Sequence, residues 1–153
     1  MARRVRAFTF AMTDWNRGLI EDFRAHGKVT KGFFAGRDVL LLTTKGAKSG
    51  VERTSPVAFS RDGDCLVIAA SKGGASENPG WYHNLKADPI VTVEVGGERF
   101  AARANIVKPE SERRRLYDRH AAHHSGLGFR EYEKKTTRRI PVITLERVGP
   151  SAG

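Results

Sequence analysis

The chain has 153 residues and is 39% hydrophobic, enough for one domain with one core. Its formal net charge of +10 calls for an acidic partner, which could be a nucleic acid, an anionic membrane or an anionic small molecule. The single cysteine excludes a disulfide framework within the chain, and no apolar run approaches the roughly 20 residues of a membrane helix.

The N-terminal segment, residues 1–12, is basic and carries a short apolar patch without a cleavage site after it. We interpret it as a cytosolic N-terminus and predict a cytoplasmic protein. Contact of this segment with the inner face of a membrane is left open. Residues 13–148 are predicted to form one domain, and residues 149–153 a short tail, because no linker or repeat divides the chain.

The first element is an amphipathic helix predicted over 13–27, with Trp15, Leu19, Ile20 and Phe23 on one face. Apolar or alternating runs then predict strands in DVLLLTT, ERTSPVAFSRDG, DCLVIAA, IVTVEV, RFAARANIV and IPVITLERV. Pro56 indicates that the second of these strands is an edge strand or carries a bulge. Helical patterns appear in WYHNLKAD and SERRRLYDRHAAHH.

Most of these strands are joined by connections of hairpin length, and the helices lie mainly towards the ends of the chain. This arrangement predicts an α+β fold, an antiparallel β-barrel or half-barrel with peripheral helices. It argues against a doubly wound parallel sheet, in which helical crossovers would separate successive strands.

Two glycine-rich loops that follow apolar strands are candidates for anion binding. In KGAKSG, Gly46 and Gly50 allow tight turns, so that successive N–H groups could converge on an oxyanion. Lys48 and Arg53 add positive charge. The P-loop pattern fails here because Ala47 stands where glycine is required. A solvated basic hairpin turn is the alternative interpretation.

The second loop, SKGGASENPG, could face the same elongated anion from the other side. Trp81 and Tyr82 follow it and could flank a ring system, although, taken alone, they are more simply explained by core packing of a short helix. Histidines lack a matching set of metal ligands, so no metal site is predicted. With no convincing acid, base or nucleophile, the pattern favours a redox enzyme whose cofactor performs the reaction.

Four stretches together resemble the deazaflavin (F420)-dependent nitroreductase family of split β-barrel flavin and deazaflavin oxidoreductases. They are IEDFRAHGKV, VLLLTTKGAKSGVERTSPV, DGDCLVIAASKGGASENPGWYHNLKADPIVTVEVGGE and YEKKTTRRIPVITLERV. The resemblance runs in register from about Trp15 to Val148. It implies a split β-barrel of six to seven strands that binds coenzyme F420, whose phosphate and oligoglutamate tail would explain the basic charge without nucleic acid.

The activity implied is hydride transfer from C5 of reduced F420 (F420H2) to a small electrophilic acceptor, a quinone, enone or nitroaromatic. Matching the family's motifs gives the cofactor-binding residues Ala47, Lys48, Ser49, Arg53, Thr54, Ser55, Pro56, Val57, Ala69, Ala70, Ser71, Lys72, Trp81, Tyr82, His83 and Asn84. Ser71 and Tyr132 are the residues implied for catalysis, Tyr132 as a hydrogen-bond donor on the substrate side. Phe129 and Ala58 occupy positions that can be tyrosine in the family, which puts nitroimidazole reduction in question.

Two alternatives remain at this point. One is an oxidoreductase that uses FMN on the same barrel. The other is a non-catalytic binder of an anionic lipid or a nucleic acid. The assembly is expected to be a monomer or a homodimer.

Overall fold

The computed structural model describes residues 16–148, so the predicted N-terminal segment 1–12, Thr13, Trp15 and the tail 149–153 lie outside the described residues. The helices are α1 (16–26), α2 (Gly80–Ala87), α3 (Glu110–His123) and α4 (Phe129–Lys135), with a 3-10 turn at Lys72–Gly74. The strands are β1 (Val39–Lys45), β2 (Glu52–Ala58), β3 (Ser60–Asp62), β4 (Cys65–Ala69), β5 (Ile90–Val95), β6 (Glu98–Ile106) and β7 (Val142–Arg147). No helix within the described range is both long and apolar enough to span a membrane.

The seven strands form one antiparallel sheet in the order β2-β1-β5-β6-β7-β4-β3. Its two edge strands, β2 and β3, follow each other in the chain with only Phe59 between them. The two edges must therefore meet at Phe59, and the sheet curls into a split barrel. The predicted α+β split barrel of six to seven strands is confirmed, as is the edge position of Pro56 in β2.

The single strand predicted over ERTSPVAFSRDG is wrong, because the chain divides it into β2 and β3. At the division, the backbone N–H of Phe59 donates a 3.0 Å hydrogen bond to the carbonyl of Asp38, outside the ladder of either strand. The Phe59 side chain is only 3% exposed and packs in the barrel core. Burial of this ring at the corner fixes the passage from one sheet edge to the other.

Along β1 and β4, successive side chains point to opposite faces of the sheet, so apolar cores form on both faces. Leu40 and Leu42 of β1 pack inside the barrel with Ile68 of β4. Leu41 packs on the opposite face against α1, and Val67 on the opposite face of β4 against α3 and α4. Strands covered on both faces require continuous apolar sequence, which explains the runs VLLL and LVIAA.

The N-terminal helix α1 closes one side of the barrel. Leu19, Ile20 and Phe23 pack with Leu41 of β1, which confirms the predicted apolar face as far as it is described. Arg24 donates two hydrogen bonds, of 3.0 and 2.7 Å, to the carboxylate of Glu94 on β5. Helix α1 is therefore held against the barrel by its apolar face and by the ion pair between Arg24 and Glu94.

Helix α3 buries two histidines one turn apart, each about 1% exposed. His124 Nε2 donates a 2.7 Å hydrogen bond to the carbonyl of Phe59, and His120 Nδ1 lies 2.8 Å from the Ser60 hydroxyl. The other ring nitrogens, His120 Nε2 and His124 Nδ1, are buried and have no hydrogen-bond partner among residues 16–148. Burial lowers the pKa of His120 to about 3 and lowers that of His124. Across residues 16–148 no group of three or more histidine, cysteine or acidic side chains could hold a metal ion.

Candidate functional site

A cleft of about 630 Å³ opens between the free edge of β2, the C-terminal end of β4, the start of α2 and the start of α4. Its walls are Asn16, Phe33, Phe34, Thr44, Arg53, Ser55, Pro56, Val57, Ala58, Ala69, Ser71, Lys72, Gly73, Pro79, Gly80, Trp81, Asn84, Leu127, Phe129 and Tyr132. The lining is apolar in its interior and basic at Arg53 and Lys72. Such a cleft suits a flat ring system that carries an anionic extension.

The structure brings ten of the sequence-predicted site residues together in this cleft. They are Arg53, Ser55, Pro56, Val57, Ala69, Ser71, Lys72, Trp81, Asn84 and Tyr132. Because side chains alternate along a strand, Arg53, Ser55 and Val57 share one face of β2. The roles of these residues in cofactor binding and catalysis stay predictions.

The other seven predicted residues do not line the cleft: Ala47, Lys48, Ser49, Thr54, Ala70, Tyr82 and His83. The Thr54 hydroxyl lies 2.7 Å from that of Thr43, and Ala70 is fully buried in the barrel core. Tyr82 packs against the same core, and His83 is exposed with its ring against that of Tyr82. Ala47, Lys48 and Ser49 are exposed in the β1–β2 turn.

The β1–β2 turn uses three of its backbone N–H groups internally and a fourth in a hydrogen bond to helix α2. Gly46 donates to the carbonyl of Val51 at 2.8 Å, and Gly50 donates to the carbonyl of Gly46 at 2.9 Å. Val51 N–H donates to the Ser49 hydroxyl at 3.1 Å, and Ala47 N–H donates to Asn84 Oδ1 at 3.0 Å. These four N–H groups therefore already have partners within the protein, as the alternative of a basic hairpin implies, and the predicted cofactor contacts of Ala47, Lys48 and Ser49 stay predictions.

Asn84 ties this hairpin to helix α2. Besides accepting the bond from Ala47, it donates from Nδ2 to the Thr44 hydroxyl at 3.1 Å. The amide thus joins the end of β1, the turn after it and the helix that follows the second glycine-rich loop. Of the two loops, only the second lines the cleft, through Ser71, Lys72 and Gly73; the first adjoins it through the flanking strand residues Thr44 and Arg53.

The turn after β4 has an unusual backbone. Lys72, Gly73 and Gly74 have φ angles of 47, 63 and 85°, three consecutive residues in the left-handed region. A Cβ on Gly74 would lie 3.0 Å from the Tyr132 carbonyl oxygen, so this turn packs directly on α4. The N–H groups of Gly74 and Ala75 donate back to Ser71 and Lys72. The step from right-handed Ser71 (φ −80°, ψ −36°) to left-handed Lys72 is the backbone combination whose successive N–H groups form a concave site for an oxyanion.

Positive charge at the cleft is only partly neutralised. Lys72 Nζ lies 3.0 Å from Glu77 Oε1, an exposed pair that also lowers the pKa of Glu77. Arg53 forms no salt bridge with any residue of the range 16–148, and neither does Lys48 in the adjoining turn. By contrast, the arginines Arg113, Arg114, Arg115, Arg119 and Arg130 of α3 and α4 all pair with carboxylates. Arg53 therefore offers the cleft a positive charge that no carboxylate of residues 16–148 neutralises.

The two residues implied for catalysis differ in their hydrogen bonding. Ser71 is 8% exposed at the cleft wall. The Tyr132 hydroxyl donates a 2.6 Å hydrogen bond to the carbonyl of Leu127, so its proton is already engaged. To donate to an acceptor molecule, Tyr132 would first have to break that bond. Its role on the substrate side stays a prediction.

Sequence reasoning missed the aromatic pair Phe33 and Phe34, which forms one wall of the cleft. Phe33 is 61% exposed, while Phe34 packs against the clusters beneath α1 and beside α4. The available signal was two adjacent phenylalanines between Gly32 and Gly36, both with positive φ, in a loop with no apolar periodicity.

The comparisons with known proteins agree with this geometry. The sequence model of the family described as F420H2-dependent quinone reductase matches residues 15–147. A relative named F420H2-dependent quinone reductase, from Mycobacterium tuberculosis (strain ATCC 25618 / H37Rv), is 43% identical over 109 residues, which are 71% of this chain and 72% of the relative.

Two solved structures share both sequence and fold with the chain. A structure of an F420-H2 dependent reductase (FDR-A) is 35% identical, with a TM-score of 0.64, covering 72% of this chain and 95% of that one. A structure described as a domain-swapped dimer is 33% identical, with a TM-score of 0.66, covering 88% of this chain and 98% of that one. Together with the family match, these similarities confirm the resemblance to deazaflavin-dependent reductases, and the chain belongs to the F420H2-dependent quinone reductase family.

Proposed function

We propose that this protein is an oxidoreductase that uses F420H2, held in the 630 Å³ cleft, to reduce a small quinone. Membership of the family favours F420 over FMN, and an enzyme over a non-catalytic binder. The observation that carries the proposal is the composition of the cleft, an apolar interior bordered by Arg53, which has no acidic partner in the described range, and by the left-handed turn at Lys72–Gly74.

The residues that line the cleft suit the parts of this cofactor. Arg53 and Lys72 offer charge-assisted hydrogen bonds to phosphate or carboxylate oxygens. Val57, Ala69 and Trp81 offer apolar surface to a flat ring. When bound, the reduced deazaflavin supplies a hydride from C5, which together with one proton reduces a quinone to the hydroquinone and leaves F420.

The protein's own task is to position the acceptor and exclude water. Phe33, Phe34 and Phe129 form an apolar wall that suits a quinone ring better than a strongly polar acceptor. Ser71, nearly buried at the same cleft, is our proposed hydrogen-bonding group near the reacting atoms. With Tyr132 engaged by Leu127, the hydroxyls left to bind a nitro group are few.

We propose an oligomeric state for the protein and leave its cellular location as a prediction. Because a relative of the same fold, 33% identical, is described as a domain-swapped dimer, we propose a homodimer rather than a monomer. A cytoplasmic location, contact of residues 1–12 with the inner face of a membrane, and the absence of nucleic-acid binding stay predictions.

The acceptor class can be tested by measuring oxidation of F420H2 by the purified protein with menadione, a nitroimidazole and an enone in parallel. We expect turnover to be fastest with the quinone. Phe33→Ala should raise KM for menadione severalfold because it removes an apolar contact at the cleft mouth. Val51→Ala removes a comparably exposed apolar side chain, 54% exposed and outside the cleft, and should leave KM unchanged.

A preference for the nitroimidazole or the enone over menadione would contradict the proposed acceptor class. An equal effect of the Phe33 and Val51 substitutions would contradict the proposed position of the acceptor.

A further inference from the structure

The segment from Ser71 to Asn78 joins β4 to α2 and supplies three cleft residues, Ser71, Lys72 and Gly73. Its backbone is strained, because Lys72, which has a Cβ, adopts a φ of 47°. Within the segment, only two backbone hydrogen bonds are formed, from Gly74 to Ser71 and from Ala75 to Lys72. A short, strained segment of this kind needs restraint from elsewhere to keep one conformation.

Arg138, which lies between α4 and β7, supplies that restraint. Its guanidinium donates through Nη2 to the carbonyl of Ser71 at 2.8 Å and through Nε to the carbonyl of Ala75 at 2.9 Å. Nη1 donates to Oδ1 of Asn78 at 2.7 Å. One planar group therefore spans the beginning, the middle and the end of the segment, which a single ammonium group could not do.

The charge of Arg138 is not neutralised by a carboxylate of the described residues, since all three of its acceptors are uncharged oxygens. Its side chain is half-buried, and this desolvation lowers the pKa of the guanidinium. Because a guanidinium ordinarily titrates far above pH 7, Arg138 still carries a positive charge, which lies next to Ser71 and Ala75 on either side of the turn. An anion held at that turn would be stabilised by this charge as well as by the backbone.

We propose that Arg138 is a positioning residue of the cofactor site, which holds Ser71–Asn78 in the conformation that lets Lys72 and Gly73 line the cleft. The inference rests on the proposed function, because it takes the anion at the turn to be part of F420. Arg138 is not itself among the residues that line the cleft.

The test compares Arg138→Lys and Arg138→Ala with Arg139→Ala as the matched control. Arg139 is the adjacent arginine, 63% exposed, and its side chain lies 3.3 Å from Glu110, away from the segment. We expect both Arg138 variants to bind oxidised F420 about tenfold more weakly or worse, because lysine retains the charge but cannot span three acceptors. Arg139→Ala should bind F420 like the unchanged protein.

Two further readouts separate positioning from general loss of structure. In the cofactor-free protein, hydrogen exchange of Gly74 and Ala75, whose amides are the hydrogen-bonded ones in 72–78, should speed up in the Arg138 variants while that of the β4 and β7 amides does not change. Guanidinium ion at millimolar concentration should partly restore F420 binding to Arg138→Ala and should have no effect on Arg139→Ala. If Arg138→Ala does not fold, Arg138→Lys carries the binding and exchange measurements.

Unchanged exchange of Gly74 and Ala75 in Arg138→Lys would overturn the proposal, as would F420 binding equal to that of the unchanged protein. If the unchanged protein itself does not bind F420, the proposed function fails. The exchange measurement, made without cofactor, then still decides whether Arg138 holds the segment.

Discussion

Arg53→Glu is expected to weaken the binding of F420 by about 100-fold. The substitution replaces a charge-assisted hydrogen bond at the cleft with repulsion between a carboxylate and an anionic cofactor. Arg53 is exposed on the edge strand β2 and forms no ion pair within residues 16–148, so its loss should cost little stability. The measurement is a fluorescence titration of oxidised F420 with each protein at one fixed salt concentration.

Arg61→Glu is the matched control, because it makes the same change in net charge on the edge strand β3, outside the cleft. We expect it to weaken F420 binding only a fewfold, through the long-range field. Lys48→Glu should fall between the two, since Lys48 lies in the turn beside β2 but does not line the cleft. Equal losses for Arg53→Glu and Arg61→Glu would mean that overall charge, and not the cleft, determines binding.

The unfolding free energy is expected to fall by about 2 kcal/mol or more between pH 7 and pH 5, through the buried histidines of α3. Burial lowers the pKa of His120 to about 3 in the folded protein, while the unfolded chain titrates near the ordinary value of 6.5. The unfolded state therefore binds more protons across this range, and stability declines as the pH falls through 6.5. His124, whose pKa is also lowered, acts in the same direction.

Three nearby titratable or charged side chains act on the His124 ring. His123 and Arg37 disfavour the charged form of His124, and Asp38 favours it. Asp62 and Asp118, whose pKa values are also lowered, have an ordinary value of 3.8 and destabilise the fold mainly below pH 5. Glu94 and Glu110, whose pKa values are lowered from 4.5, begin to contribute near pH 5. The difference between the unchanged protein and His120→Gln, and not the pH window alone, therefore isolates His120.

Chemical denaturation at the two pH values provides the measurement. His120→Gln should reduce the pH-dependent loss by about 2 kcal/mol, whatever its effect at pH 7. His123→Gln, at an exposed residue whose ring lies 2.8 Å from Asp38, should preserve the loss. A loss that is the same in His120→Gln as in the unchanged protein would show that His120 does not titrate in this window.

Sequence patterns predicted most helices and strands correctly, because secondary structure depends largely on residues that are close together in the chain. The runs around Leu40 and Ile68 required strands with two buried faces, and Pro56 required a sheet edge or a bulge. The corner at Phe59 was not predictable in this way, because a buried aromatic at a strand junction looks like any other strand residue. Phe59 forms a corner only because β2 and β3 become the two edges of the sheet, which the local sequence does not show.

The residues of the candidate site likewise divide into those that the sequence predicted and those that only the folded structure brings together. Motif matching gave Arg53, Ser71 and Trp81, since each lies in a long stretch of sequence shared with the family. Arg138 also lies in a stretch shared with the family, but no motif gave it a role, because its three acceptors lie 60 to 67 positions away in the chain. Phe33 was missed for a similar reason, since only the closed barrel brings its loop to the cleft.

Equilibrium titration of the purified, cofactor-free protein with oxidised F420 and, separately, with FMN determines whether the cleft binds F420 as a redox cofactor. We expect a micromolar or lower Kd for F420, one F420 bound per chain, and FMN binding that is at least 100-fold weaker. Tight FMN binding with no measurable affinity for F420 would contradict this expectation.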